Sequence, residues 1–236
     1  MKILGVDSAW NLKNPSGIAI VEKKADIWEC IFFESQKFFS LENMLRQYPD
    51  IGLIVADIPL VFQGEFYGRR AADNEISQNF GSFKCSTHTV SEKCHPFLKQ
   101  ISIELIKTAE KYRIPIIETY PHPAILSLFA QNGSRLQERL QYKVAKQYNY
   151  WPQFNAVERK RALLNNLRSL IEIISTSVNM QQVHIPIINL EMKKKEIKNL
   201  EDCLDALVCS WVGIQYLQSN CLWYGDEKAK IWIPNM

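Results

Sequence analysis

Five acidic residues lie where they could share one site. Asp7, Asp57 and Glu118 each end a short apolar run, rich in branched residues, of the kind that forms a buried strand. Asp202 and Asp205 are three residues apart, and they therefore lie on one face of a predicted helix. Clustered carboxylates without a facing lysine suggest a divalent metal, Mg²⁺ or Mn²⁺. Such a cluster could hold two ions about 3.5–4 Å apart and carry out phosphoryl transfer by attack of water.

Each of these acids also has a structural explanation. Asp7 could form a turn, Asp57 could end its strand before a proline, and Glu118 could pair with an arginine. Asp202 could do no more than favour the dipole of its helix. Asp205 is different, because its neighbours in sequence are apolar and an unpaired carboxylate there would be costly. Taken together, the three strand-terminal acids and the helical Asp205 favour a site.

The elements that must position these acids follow from the apolar pattern. Residues 2–7, 17–23 and 27–34 read as three strands with short connections, which predicts an antiparallel meander. Residues 51–56 and 114–118 read as two further strands, and a predicted helix before the first of these indicates a strand parallel to residues 2–7. The carboxyl ends of parallel strands share one edge of a sheet, where open α/β sheets place their sites.

The rest of the chain is predicted to be mainly helical. A long helix over 200–217 carries the late acidic pair, and residues 223–233 suggest a closing hairpin. A long polar loop at 61–95 and a mainly helical, basic insertion at about 133–198 interrupt the pattern. We expect one domain over residues 1–236, an ordinary size for a single core.

Composition excludes some classes of protein. Hydrophobic residues at 47% and charged residues at 22% are typical of a soluble globular protein. No run approaches the roughly 18 apolar residues of a membrane span, and the start lacks a secretory pattern, so we expect a cytoplasmic protein. Six scattered cysteines indicate buried thiols rather than disulfides. A net charge of +3 permits nucleic acid as a partner without indicating it.

Several short motifs resemble a known family. Gly5-Val6-Asp7, followed by a loop and Ser16-Gly17-Ile18-Ala19, resembles the first hairpin of ribonuclease H-like nucleases. Asp202 to Ala206 is similar to the acidic pair of the Holliday-junction resolvase branch. The closer resemblance is to the DUF429 family of predicted ribonuclease H-like nucleases. It depends on the order of these motifs and of four others: Asp57-Ile58-Pro59-Leu60, Arg69-Arg70-Ala71-Ala72-Asp73, Glu118 to Pro123 and Trp232-Ile233-Pro234.

This resemblance implies a fold and a set of roles. The fold would be α/β and ribonuclease H-like, with a five-stranded mixed sheet (the antiparallel meander plus parallel strands) flanked by helices. The activity would be that of a metal-dependent nuclease acting on nucleic acid. Asp7 would bridge two ions, Asp57 and Asp205 would each complete one, and Glu118 or Asp202 would be the fourth acid.

Other residues could contact the substrate. Arg69, Arg70 and Lys84 are candidates for phosphate contacts, although a solvated basic face is an equal explanation. His122 could position water or protonate the leaving oxygen, but a histidine between two prolines is more often structural. The basic insertion could lie along a nucleic-acid backbone.

Three other functions stay open. Cys85, His88, Cys94 and His95 invite a zinc site, but their spacing does not match the usual paired clusters. A non-catalytic protein that binds nucleic acid or serves as a scaffold could share the fold. A kinase of the related actin-like superfamily should show a second glycine-rich phosphate hairpin, and the sequence has none.

Overall fold

A single mixed sheet of seven strands organises the chain, as a computed structural model of residues 1–11, 13–133 and 141–236 shows. The strands are β1 (Lys2–Asp7), β2 (Ser16–Lys24), β3 (Ile27–Gln36), β4 (Ile51–Asp57), β5 (Ile116–Thr119), β6 (Cys221–Asp226) and β7 (Ala229–Pro234). Their order across the sheet is β3-β2-β1-β4-β5-β7-β6. The helices are α1 (Leu41–Gln47), α2 (Ala71–Phe80), α3 (Leu98–Tyr112), α4 (Pro121–Gln131), α5 (Gln147–Tyr150), α6 (Ala156–Ile174) and α7 (Lys194–Leu217).

The predicted α/β architecture is confirmed, and the predicted number of strands is wrong. Strands β1, β2 and β3 form the antiparallel meander, and β4 and β5 run parallel to β1. The sheet has seven strands rather than five because the closing hairpin β6–β7 joins it at the edge of β5. That junction is short: Glu118 pairs with Ile231 and Thr119 pairs with Trp232. The sequence pattern of a hairpin is local and can be recognised. The pairing of β5 with β7 joins residues 113 apart at two positions, and no local pattern indicates it.

Helices cover both faces of the sheet. Side chains alternate along β1, so Ile3 faces the helices α4, α6 and α7, while Leu4 faces α1 and α3. Helix α2 packs on the closing hairpin, and Ile76 and Ile231 belong to the buried cluster between them. The buried side of each helix therefore matches one face of the central strands.

Helix α7 is the central helix of the fold, and every residue from Leu200 to Gln215 is buried. Its backbone lies directly on the strands, because a Cβ atom added to Gly5 would lie 2.0 Å from the carbonyl oxygen of Ala206. A Cβ atom on Gly17 would lie 1.9 Å from the carbonyl oxygen of Asp202. Glycine at these positions permits the close approach and sets the acidic pair of α7 against β1 and β2.

The two predicted interruptions contain helices. Residues 61–95 hold α2 and a short 3-10 helix, Gly81–Phe83, and residues 133–198 hold α5, α6 and the start of α7. Residues 134–140 of the predicted basic insertion lie outside the described residues. Helix α7 begins at Lys194 rather than near residue 200, and its first turn includes Lys194 and Lys195. The assignment of residues 1–236 to one domain stays a prediction. No helix among the described residues has the length and apolar character needed to cross a membrane.

Candidate active site

Four carboxylates meet where β1 and β4 end. Asp7 and Asp57 are paired residues in the parallel register of these two strands. Helix α7 adds Asp202 and Asp205, which lie one turn apart and face the strand ends. We call Asp7, Asp57, Asp202 and Asp205 the carboxylate cluster. The structure therefore brings together four of the five acids that the sequence singled out.

Burial and nearby negative charge raise the pKa of every member of the carboxylate cluster. Burial raises the pKa of Asp7 well above its usual range, and the charges of Asp205 and Asp57 raise it further. Burial also raises the pKa of Asp57 to about 7 and that of Asp202 to about 6, although lysine charges oppose both shifts. The pKa of Asp205 is raised by burial as well. Nearby positive charge therefore does not fully compensate the carboxylate cluster.

Tyr142 and Lys143 bind the innermost acid. The Tyr142 hydroxyl donates to Oδ1 of Asp205 over 2.6 Å, and the Lys143 ammonium binds Oδ2 of the same carboxylate. The Lys143 ammonium also lies 3.6 Å from Oε1 of Glu201. Burial alone would lower the pKa of Lys143, but Asp205, Tyr142 and Glu201 raise it well above its usual range. Lys143 is therefore a charged counter-ion inside the site.

Lys198 binds two acidic residues of its own helix, α7. Its ammonium binds Oδ1 of Asp202 and lies 2.9 Å from Oε1 of Glu201. The second oxygen of Glu201 accepts a 2.6 Å hydrogen bond from the backbone N–H of Val144. Glu201 thus ties the segment that carries Lys143 to α7.

Glu118 lies beside the carboxylate cluster and has a different partner. Both of its oxygens accept hydrogen bonds from the Arg70 guanidinium, at 2.6 and 2.7 Å, and the N–H of Leu60 donates to one of them. Arg70 also binds Asp73 over 2.9 Å. Burial raises the pKa of Glu118, and the Arg70 charge opposes this shift. Glu118 is thus paired with an arginine, as one of the two sequence-based explanations anticipated, and Arg70 serves this ion pair rather than an exposed phosphate site.

The remaining candidates lie around this centre. Arg69 donates to the side chains of Asn74 and Ser77, close to α2. Lys84 is exposed at the end of the short 3-10 helix. His122 is buried, its Nδ1 lies 2.9 Å from the Tyr120 hydroxyl, and its ring centroid lies 5.6 Å from that of Tyr142. His122 therefore supports a residue that binds the carboxylate cluster, whereas no contact of Arg69 or Lys84 reaches it among the described residues.

Two cavities open beside the carboxylate cluster. One of about 700 Å³ is lined by Asp7, Asp202, Trp10 and, along its sides, the lysines Lys13, Lys194, Lys195 and Lys198. We call it the lysine groove. The other, of about 180 Å³, is lined by Asp57 and the Arg70–Glu118 pair, together with Trp10, His88 and Tyr120. We call it the inner pocket. Trp10 contributes to both cavities and so stands between them.

Comparison with known families places the chain. A family model described as "Protein of unknown function (DUF429)" matches residues 5–229. The chain belongs to the DUF429 family. The resemblance noted in the sequence is thus confirmed over nearly the whole length of the chain.

Solved structures give a weaker likeness to the DUF429 chain. The structure of Thermus thermophilus RuvC in complex with a Holliday junction substrate is 8% identical, with a TM-score of 0.43, and the match covers 92% of this chain and 96% of that one. A second structure of Thermus thermophilus RuvC is 10% identical, with a TM-score of 0.41 and coverage of 93% and 97%. A likeness of this size transfers no activity. A search of the curated proteins finds no match.

The donor chemistry of the carboxylate cluster suits a divalent cation. Carboxylate oxygens are the hard ligands that Mg²⁺ and Mn²⁺ prefer. Burial, together with the charges of neighbouring acids, raises the pKa values of Asp7 and Asp57, and a bound cation would oppose both effects. Within the described ranges, no three His, Cys, Asp or Glu side chains are already arranged to hold one ion. Lys143 and Lys198 occupy oxygens of Asp205 and Asp202 that an ion would need. Cys85, His88, Cys94 and His95, which are all described residues, form no such arrangement either.

The sequence did not single out Tyr142, Lys143, Lys198 or Glu201 as part of the site. Lys198 and Asp202 are four residues apart on one helix, a spacing that indicates an ion pair and could have been recognised. Lys143 and Tyr142 lie more than 60 residues from Asp205 and have no local pattern that points to it.

Proposed function

We propose that this protein is a cytoplasmic, metal-dependent nuclease with a ribonuclease H-like fold that hydrolyses phosphodiester bonds of nucleic acid. The observation that carries the proposal is the carboxylate cluster, in which three separate elements direct four acids to one point. Burial raises the pKa of all four acids, and a bound cation would stabilise their ionised forms, which supports the proposal. The lysine groove beside it suits a polyanionic substrate.

The residues divide into ligands and supports. The charges of Asp57, Asp202 and Asp205 all act on Asp7. Asp7 would therefore be the ligand common to two ions, while Asp57 and Asp205 would each hold one and Asp202 would be the fourth ligand. When bound, the ions would supply the charge that activates water and stabilises the leaving oxygen. The Tyr142 hydroxyl orients the Asp205 carboxylate through its 2.6 Å hydrogen bond.

A non-catalytic function is the second candidate, and a specific observation favours it. Lys143 and Lys198 already neutralise part of the carboxylate cluster without any ion. A protein of this kind would bind nucleic acid in the lysine groove and leave it intact.

The decisive experiment compares two substitutions of the same chemical type. Asp7→Asn removes the central ligand, whereas Asp26→Asn changes an exposed acid in the β2–β3 turn, at the opposite edge of the sheet. Each variant and the wild type are incubated with single-stranded, duplex, hybrid and branched nucleic acid in Mg²⁺, in Mn²⁺ and in a chelator.

We expect chelator-sensitive cutting by the wild type and by Asp26→Asn. Cutting should fall by more than about 100-fold in Asp7→Asn, because even residues that only support a metal ligand are worth about 10–100-fold. Cutting that persists in Asp7→Asn would refute the site. Binding of nucleic acid by all three proteins, with no cutting of any substrate, would favour the non-catalytic function.

A further inference from the structure

The lysines beside the carboxylate cluster fall into two groups. Lys143 and Lys198 bind acidic residues of the site. Lys13, Lys194 and Lys195 are exposed, and no described acidic residue lies within ion-pair distance of their ammonium groups. The inner lysines thus balance the protein's own acids, while the outer three present unpaired positive charge along the lysine groove.

Trp10 adds an aromatic surface to the same groove. Its side chain is half-buried, and a T-shaped contact with His95, at 4.8 Å between ring centroids, helps to hold it. Aromatic side chains beside a positively charged groove are the usual means of binding single-stranded nucleic acid, because bases stack on the rings while phosphates meet the lysines.

The inner pocket suits an unpaired base. Trp10, Tyr120 and His88 supply rings against which a base could pack. The Arg70–Glu118 pair and Thr119, which are already hydrogen-bonded within the protein, add a polar wall. A base held in a duplex is already paired and stacked, and its entry would require extrusion at a cost of a few kcal/mol. The pair of cavities on either side of Trp10 therefore favours a single strand.

We propose that the lysine groove binds the backbone of single-stranded nucleic acid and that Trp10 stacks on one of its bases, next to the carboxylate cluster. This inference rests on the proposed function, because it names the substrate class of the same site. The ammonium groups of Lys13, Lys194 and Lys195 contact phosphates, and the strand continues from Asp202 past Asp7 towards Asp57.

Binding is measured by fluorescence anisotropy in EDTA, so that it is observed whether or not the protein cuts. The probes are a labelled single strand and the duplex of the same sequence, each as DNA and as RNA, over a range of salt concentrations. One triple variant changes Lys13, Lys194 and Lys195 to glutamine. A matched control changes three exposed lysines outside both cavities, Lys23, Lys99 and Lys107, and so removes the same net charge.

The two triple variants should differ in salt dependence. Each phosphate contact on a single strand contributes roughly 0.7 to the slope of log K against log salt, so the groove variant should lose about 2 from the slope. The control should keep the wild-type slope. Equal slopes in the two variants would overturn the lysine groove as the phosphate track.

Trp10 is tested by its effect on one type of strand. Trp10→Leu should weaken single-strand binding by roughly 5- to 140-fold, which is the affinity equivalent of losing one stacked base, and should leave the salt slope and duplex binding unchanged. Trp10→Phe keeps an aromatic ring and should restore most of the affinity, which separates stacking from a folding defect. Duplex binding as tight as single-strand binding, or an equal loss of both in Trp10→Leu, would overturn the choice of a single strand.

These outcomes are independent of the cleavage experiment. If the groove variant loses single-strand affinity and no substrate is cut, the binding inference holds and the nuclease proposal fails. If Asp7-dependent cutting is seen but the groove variant binds like its control, the nuclease proposal holds and this inference fails.

Discussion

The Lys143→Met variant tests how the carboxylate cluster is balanced. The substitution keeps most of the length of the side chain and removes the ammonium group that binds Oδ2 of Asp205. Asp205 is fully buried, and it would keep only the 2.6 Å hydrogen bond from the Tyr142 hydroxyl as a contact to a side chain among the described residues. An unpaired buried carboxylate then remains in the metal-free protein.

The expected cost follows from that burial. Removing one partner of a buried ion pair costs about 3–5 kcal/mol, and the remaining Tyr142 bond places this case near the lower end, at about 3 kcal/mol. For a chain of this size, about 3 kcal/mol corresponds to a fall of roughly 6–12 °C in Tm. Protonation of Asp205 reduces the loss, so the effect should be smaller at pH 5 than at pH 8.

Divalent ions should restore the stability lost in Lys143→Met if the Lys143 ammonium occupies part of the ion-binding site. An ion that binds the folded protein alone adds about 2.7 kcal/mol of stability at one hundred times its dissociation constant. We therefore expect Mg²⁺ or Mn²⁺ to stabilise Lys143→Met more than the wild type, and calorimetric titration should show tighter ion binding by the variant.

The assay is urea denaturation and scanning calorimetry in EDTA and in saturating Mg²⁺. Lys111→Met serves as the control, since Lys111 pairs with Glu42 on the surface and its loss should change stability little. If Lys143→Met is as stable in EDTA as the control, the buried pair does not carry the proposed charge balance. If ions stabilise the variant and the wild type equally, Lys143 does not compete with them.

Three further predictions concern the same centre. Gly17→Ala should destabilise the protein by about 1–3 kcal/mol in urea denaturation and should weaken ion binding. The reason is that the added Cβ would lie 1.9 Å from the Asp202 carbonyl oxygen and push α7 away. Gly52→Ala, whose Cβ would lie 3.5 Å from Met1 Cε, is the control. The metal-free protein should lose stability as pH rises from about 4 to 7, and urea midpoints in EDTA measure this loss. The pKa of Asp57 is raised from 3.8 to about 7 in the folded protein, so the folded state binds more protons than the unfolded state in that range. Over the same range Mg²⁺ affinity should rise, because bound ions require ionised carboxylates.

Each of these predictions has a clear contrary result, which for the third is an Mg²⁺ affinity that stays constant between about pH 4 and 7. Normal ion binding by Gly17→Ala would mean that α7 need not lie directly on β2 for the carboxylate cluster to form. A metal-free protein whose stability rises between pH 5 and 7 would mean that Asp57 is ionised more readily in the folded state than in the unfolded one, against its burial.

Most of the fold could be predicted because its signals are local. The apolar runs of β1 to β5 and their connections predicted the meander and the parallel strands. The two extra strands were missed as members of the sheet, since β7 contacts β5 through two paired positions that no local pattern marks.

In the candidate site, too, some placements could be predicted from local sequence patterns and others could not. Asp7 and Asp57 could be predicted to meet because parallel strands that end on acids must place them at one edge. The partner of Glu118 is Arg70, which lies 48 residues away, and the partners of Asp205 lie 62 and 63 residues away. Such pairings depend on tertiary packing, and sequence spacing does not reveal them.

The energetics of the carboxylate cluster also bear on its purpose. A buried ion pair is weak evidence for stability, because apolar residues of similar volume often serve folding as well or better. Here burial raises the pKa values of Asp7, Asp57, Asp202 and Asp205 despite the lysines beside them, so the ionised form of each acid is disfavoured. A fold that needed only a packed core would gain from replacing these acids. The placement of all four at the open end of the sheet is therefore what the proposed cation-binding role would require, and stability alone does not account for it.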